Sequence, residues 1–243
     1  MADESGIGFI LRNHPKQQLQ VETARSGAAH VDRAEIRRFL DELEWPLALF
    51  DIETTSSAIP FYDGTGPYQQ VPFQFSLHLQ DQPGGRLTHH EFLASGCEDP
   101  RPSFLDHLHA CLPPGGTVVS YNAPFENRCL RECAEIFPEH AWAAEVRDRT
   151  VDLLSPFRSY AYHHPAQRGS ASIKYVLPAL TGTDYSDLAI QDGQAAARAF
   201  AAAELAEPRS PDREQIRSDL LAYCRLDTRA MVDLVEALSK LAQ

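Results

Sequence analysis

Leu47-Ala48-Leu49-Phe50-Asp51-Ile52-Glu53-Thr54-Thr55 is an apolar strand that closes on two carboxylates. Side chains alternate across a strand, so Asp51 and Glu53 share the face of Leu47 and Leu49. A buried, unpaired carboxylate costs on the order of several kcal/mol, and two of them on a core-facing edge therefore imply cations. Ligands that are all oxygen favour Mg2+ or Mn2+ over zinc. This Asp-x-Glu pair reads as half of a divalent-metal site.

The strand sits in an α/β pattern. Upstream, Asp32 followed by Glu35 resembles a capping box, and Ile36, Phe39, Leu40 and Leu43 follow at helical spacing. Residues 1–29 are polar apart from Ile7–Leu11 and are expected to be an extension or linker, with one domain over 30–243. Downstream, a turn-rich loop over 59–68 precedes strands at Phe73–Leu79 and Leu87–Leu93, which complete an antiparallel meander. A helix is expected over 102–112, a buried strand over Thr117–Tyr121, and a helix from Pro124 to about Phe137. The alanine-rich stretch near Ala195–Ala203 reads as a surface helix anchored by Phe200 and Leu205. The sum is a mixed sheet, meander plus parallel strands, flanked by helices.

Composition bounds the function. With 43% apolar and 23% charged residues, the 243-residue chain suits one soluble domain, not a disordered one. No apolar run approaches the roughly 20 residues that cross a bilayer, and the polar start lacks a secretion signal, so the cytoplasm is the expected compartment and a membrane partner is not. The five cysteines, Cys97, Cys111, Cys129, Cys133 and Cys224, are odd in number and fit a reducing environment. Cys129 and Cys133, one turn apart, read as small packing residues. A net charge of −12 argues against a broad basic surface for long duplexes but leaves room for a local phosphate groove.

Two more acids stand on apolar faces. On the last helix Ile216, Leu220, Tyr223, Asp227, Met231, Leu234 and Leu238 recur at three- and four-residue steps, which puts Asp227 on the buried stripe. Glu126 shares its face with Cys129, Leu130, Cys133 and Phe137, although a glutamate in a first helical turn is also favoured by the macrodipole.

These residues carry a resemblance. Phe50-Asp51-Ile52-Glu53-Thr54, Asn122-Ala123-Pro124-Phe125-Glu126 and Tyr223-Cys224-Arg225-Leu226-Asp227 look like the three motifs, in order, of the DEDD exonuclease superfamily, tyrosine subclass, on the ribonuclease-H-like fold. Over about residues 30–242, the stretches Thr65–Ser76, Gly169–Lys174 and Val176–Leu180 resemble the prokaryotic family called domain of unknown function 2779. In that family the domain often follows a restriction-endonuclease-like nuclease domain, for which this chain has no room. Glu126 departs from the aspartate of the general exonuclease pattern.

The resemblance implies a two-metal 3′→5′ exonuclease acting on single-stranded or frayed RNA or DNA ends. Asp51, Glu53 and Asp227 would ligate one Mg2+ or Mn2+ ion and Asp51 would bridge to a second, about 3.5–4 Å away, held by Glu126 directly or through water. Tyr223 would orient the attacking water. Thr54, Thr55 and Asn122 are expected near the substrate's 3′ end, with Tyr68, Phe61, Tyr62 and Phe73 available for base stacking, although a core position suits Phe73 better. Arg158 and Lys174 are the expected phosphate contacts within a basic run that includes Arg147, Arg149, His163, His164 and Arg168. The adjacent histidines suit a loop surface. Asp152 reads as support for the site or as a helix cap. Two alternatives stay open: a non-catalytic nucleic-acid-binding module, and a structure-specific endonuclease.

Overall fold

In a computed structural model the chain is described over residues 14–206 and 210–243; the apolar island Ile7–Leu11 lies outside these residues. The elements run α1 (Pro15–Ser26), β1 (His30–Val31), α2 (Arg33–Asp41), β2 (Leu47–Thr55), β3 (Val71–Gln80), β4 (Leu87–Leu93), α3 (Arg101–Cys111), β5 (Thr117–Ser120) and α4 (Pro124–Ile136). They continue with α5 (Trp142–Glu145), β6 (Thr150–Asp152), α6 (Ser155–Arg158), β7 (Tyr162–His163), α7 (Ile173–Thr181), α8 (Gly193–Phe200), a π turn (Ala201–Leu205) and α9 (Arg213–Leu241). Among the described residues no helix is long and apolar enough to cross a membrane.

The chain divides into two compact units. One comprises Leu43–Leu153 and Tyr185–Asp233. Its five-stranded sheet has the order β4-β3-β2-β5-β6, antiparallel through β4-β3-β2 and parallel through β2-β5-β6. This mixed sheet with flanking helices is the ribonuclease-H-like arrangement expected from the sequence.

Strand β2 is apolar on both faces, as a central strand must be. Ala48, Phe50 and Ile52 enter a core with Phe75, Leu77, Phe104, Leu105, Leu108, Val118, Cys129, Leu130 and Cys133. Cys129 and Cys133 are thus free, buried packing residues, whose thiols burial pushes up to about 12. The opposite face of the strand carries Leu47, Leu49, Asp51 and Glu53. Across the β2–β3 ladder Asp51 opposes Ser76 and Glu53 opposes Gln74, and the register shifts directly after Glu53. Such bulges re-aim side chains, and here Phe73 stacks on Phe200 of α8 at a centroid distance of 3.9 Å. The alanine-rich helix therefore packs into the core through Ala196 and Phe200, each fully buried, and is not the surface helix its composition suggests.

Helix α9 lies over this polar side of β3. Gln74 Nε2 donates to the Leu220 carbonyl at 2.8 Å, and the Thr228 hydroxyl meets Ser76 Oγ at 2.6 Å and His78 Nδ1 at 2.8 Å. Burial holds His78 down to about 3, so it serves this network as a neutral ring. Buried polar groups lose stability unless they are paired, so these bonds fix the rotation of α9 about its axis and hence the direction of Asp227.

The other unit comprises residues 14–42, Leu154–Asp184 and Leu234–Gln243. Helix α1 lies within the stretch that the sequence suggests is an extension or linker. Its twelve residues bury only Thr23, so no apolar stripe marks it; Pro15 at its start and left-handed Gly27 after its end do. Asp32 caps α2, accepting from the N–H groups of Ala34 and Glu35. Strands β1 and β7 pair antiparallel, His30 opposite His163. His163 is buried at 3% exposure and stacks on Tyr160, a correction to the expected loop surface.

Candidate metal centre

Asp51 and Glu53 come from the end of β2, where the bulge begins, and Asp227 from the buried face of α9. One carboxylate oxygen from each lies within 4.8 Å of the other two. Glu53 and Asp227 are buried and Asp51 is half-buried. The donor set is all oxygen and close enough to surround a single hard cation, and burial limits the solvent screening of the acids' mutual repulsion. The residues present fit Mg2+ or Mn2+.

Groups from α9 and from the segment before α8 neighbour the acids. The Cys224 thiol, buried on α9, donates to Asp51 Oδ2 at 3.5 Å. The Tyr185 hydroxyl donates to Asp227 Oδ1 at 2.6 Å. Tyr223, one turn before Asp227, is 4% exposed, and burial together with the charges of Asp227, Glu53 and Asp51 raises its hydroxyl far above the ordinary tyrosine value. It is a neutral phenol at any physiological pH.

Glu126 stands outside the three-acid cluster. Strand β5 is held to β2 by Ser120 Oγ, which donates to the Phe50 carbonyl at 3.0 Å. The chain then turns through Asn122 at φ +81°, a left-handed conformation that asparagine tolerates, and its N–H donates to Asp152 Oδ1 at 2.8 Å. Asp152 thus braces the turn that launches α4, and Glu126 points inward from the first turn of that helix. It is 4% exposed, and its Oε2 has no hydrogen-bond partner among the described residues. Burial, then the negative charge of Asp51, raises its carboxyl well above the usual range.

An acid whose folded pKa is raised favours the fold below its unfolded pKa, near 4.3, and loses that advantage as pH rises toward the folded value. In metal-free protein at pH 7 to 8, Glu126→Gln is therefore expected to melt at a higher temperature than wild type, with the gap narrowing toward pH 4. Thermal denaturation in a chelator across that range checks it; an unchanged or lower melting temperature at pH 8 contradicts it.

Thr54 Oγ1 donates to Gln70 Oε1 at 2.6 Å, and Thr55, which follows it at the strand end, is buried at 2% exposure. Asn122 is exposed. Tyr68 is 70% exposed and Phe61 is exposed too, but Tyr62 is buried and unavailable for stacking on a base. Phe73 is core. Arg158 is exposed at the end of α6 and Lys174 is half-buried in α7, both in the other unit. Arg149 is a structural residue, donating to the carbonyls of Pro113, Gly115 and Gly116.

Two neighbours of the acids, Tyr185 and Gly193, carry no mark in the sequence. Tyr185 falls in a turn-rich run with no periodic pattern. Gly193, just after the helix-capping Asp192, is so close to Glu53 that a Cβ there would lie 3.2 Å from Oε2. Only the tertiary structure discloses either contact.

Among known proteins, the sequence profile described as a domain of unknown function, DUF2779, matches residues 48–172, a span that contains Asp51, Glu53 and Glu126 and ends before Tyr185, Tyr223 and Asp227. An uncharacterized protein of Mycoplasma pneumoniae, the MG366 homolog, is 28% identical over 75% of this chain. The chain spans 30% of that relative's length. No solved structure matches.

Proposed function

This chain belongs to the domain of unknown function 2779 family, whose description assigns no chemistry, and we propose from its site that it is a divalent-metal-dependent 3′→5′ exonuclease acting on single-stranded or frayed RNA or DNA ends. One observation carries the reading: Asp51, Glu53 and Asp227, from strand and helix 174 to 176 residues apart in sequence, bring their oxygens within 4.8 Å in a mostly buried setting. Without cations such a cluster is a liability that apolar residues in its place would relieve.

Asp51, Glu53 and Asp227 would hold one Mg2+ or Mn2+ ion, and Glu126, with Asp51, a second. Bound there, such ions lower the pKa of an attacking water and neutralise charge on a leaving 3′-oxygen. The chain's own groups supply positioning. Tyr223, one turn before Asp227, can accept a hydrogen bond from that water or donate one to it, and so aims it. Thr54, which follows Glu53 in the chain, is the proposed contact for the terminal 3′-hydroxyl. Exposed Tyr68 and Phe61, on the loop after β2, offer rings to a terminal base. Asn122, exposed on the turn before α4, is a proposed substrate contact, and Arg158 and Lys174 remain the proposed phosphate contacts. Five free thiols suit a cytoplasmic setting.

A second reading has one observation in its favour. Glu126 lies outside the cluster of three, which suits a nucleic-acid-binding module that retains the fold without productive metal geometry. Polarity of cleavage tests the proposal. With Mn2+, 5′-labelled single-stranded oligonucleotides should yield products shortened from the 3′ end, while circular strands and strands with a blocked 3′ end resist. Cuts within circles would replace the exonuclease by an endonuclease. Binding without cleavage by folded, metal-loaded protein would leave the module.

A further inference from the structure

We propose that the segment from Tyr185 to Gly193 is the positioning wall of the metal centre, with Tyr185 fixing the carboxylate of Asp227 and Gly193 making room for that of Glu53. The inference rests on the metal-site reading above and adds residues that no sequence motif marks. Its first support is the 2.6 Å bond from the Tyr185 hydroxyl to Asp227 Oδ1. Tyr185 is itself 6% exposed, and its ring packs near that of Tyr223 at a centroid distance of 6.4 Å, so the phenol has little rotational freedom. A short bond from a buried neutral donor to a carboxylate is among the stronger hydrogen bonds a protein makes. It restricts the rotamer of Asp227, one of whose oxygens lies within 4.8 Å of an oxygen of Asp51 and of Glu53.

The second support is independent. At Gly193, the first residue of α8, an added Cβ would stand 3.2 Å from Glu53 Oε2, closer than ordinary contact. Backbone therefore approaches the carboxylate where any side chain would press on it. Helix α8 is anchored away from the acids by the Phe200 ring on Phe73, so its first turn cannot retreat freely. One short segment thus constrains two of the three acids without belonging to the strand or the helix that carries them. Partners of this kind orient metal ligands and tune their basicity.

The test uses the full 243-residue chain and Mn2+ itself as probe. Tyr185→Phe removes one oxygen and keeps the ring; Gly193→Ala adds one methyl. Calorimetric titration with Mn2+ is expected to show about 10- to 100-fold weaker binding for Tyr185→Phe, and a loss in the same direction for Gly193→Ala, in protein whose circular dichroism matches wild type. In the nuclease assay kcat should fall while KM for the oligonucleotide stays, because the substrate-contacting surface is untouched. Mn2+ affinity and kcat of Tyr185→Phe within about twofold of wild type would overturn the proposal. If wild type binds Mn2+ and Tyr185→Phe weakens it, yet neither cleaves nucleic acid, the positioning role stands and the hydrolytic reading fails. Wild type that binds no Mn2+ overturns both.

Discussion

Asp51→Asn is expected to make the protein more stable without metal and to lower the proposed metal-dependent hydrolysis steeply. Three carboxylates within 4.8 Å repel one another. At an effective dielectric of about 20, a pair of unit charges at that spacing costs on the order of 3 kcal/mol. Asparagine keeps an acceptor for the Cys224 thiol and removes the charge, so the metal-free variant should melt several degrees higher. Mn2+ should then raise the melting temperature of wild type and leave the variant unmoved, since a cation that binds only the native state stabilises it by mass action. Loss of the residue assigned to both cations should lower the hydrolytic rate on the order of 1,000-fold, about 4 kcal/mol of transition-state stabilisation. Opposite signs for stability and activity are the signature of a functional acid. A variant that is less stable in chelator would instead make Asp51 a structural residue.

Glu204→Ala should produce the largest loss of stability. Glu204, fully buried in the π turn after α8, accepts from Arg217 Nη1 at 2.6 Å, from Arg213 Nη2 at 3.0 Å and from the Gly96 N–H at 2.9 Å. The contacts join the turn, the loop after β4 and the start of α9, and Arg217 also donates to the Ala94 carbonyl. Removing one partner strands the others. Breaking a buried pair costs about 3–5 kcal/mol, and because both arginines keep some exposure the lower end, about 3 kcal/mol, is expected. Burial alone would raise the Glu204 carboxyl, but Gly96, Arg213 and Arg217 hold it below its ordinary value. A depressed carboxyl contributes stability above its unfolded pKa, near 4.3, and loses it as pH falls through the folded value. The gap in denaturant midpoint between wild type and Glu204→Ala should therefore be full at pH 7 and shrink below about pH 4. A gap that does not change with pH would assign the loss to packing and not to charge.

How legible an element is in the sequence depends on the kind of signal it carries. Strands β2 and β4 end where their apolar patterns end, and Asp227 is buried on α9, as a charge set on an apolar stripe requires. Glu126 is legible for the same reason. Helix α1 is not, because its polar residues carry no stripe; nor is the packing of α8, since alanine is equally at home on a surface and against a ring, and only the Phe73 partner decides. Tyr185 and Gly193 act through contacts 42 and 140 residues away in sequence, with no local pattern to announce them. Tyr62 and His163 look exposed in sequence and are buried in the fold, because loops and short strands bury residues by tertiary packing that composition does not report.

The central claim is that the acidic cluster binds divalent cations and hydrolyses nucleic-acid ends with them. The measurement that reaches it most directly is a time course of 5′-labelled single-stranded RNA and DNA with Mg2+, Mn2+ or chelator, wild type beside Asp51→Ala/Asp227→Ala. Metal-dependent ladders shortening from the 3′ end with wild type alone are predicted, and their rates will name the preferred sugar. Intact strands after prolonged incubation of folded wild type with either metal, or equal degradation by the double variant, would contradict it.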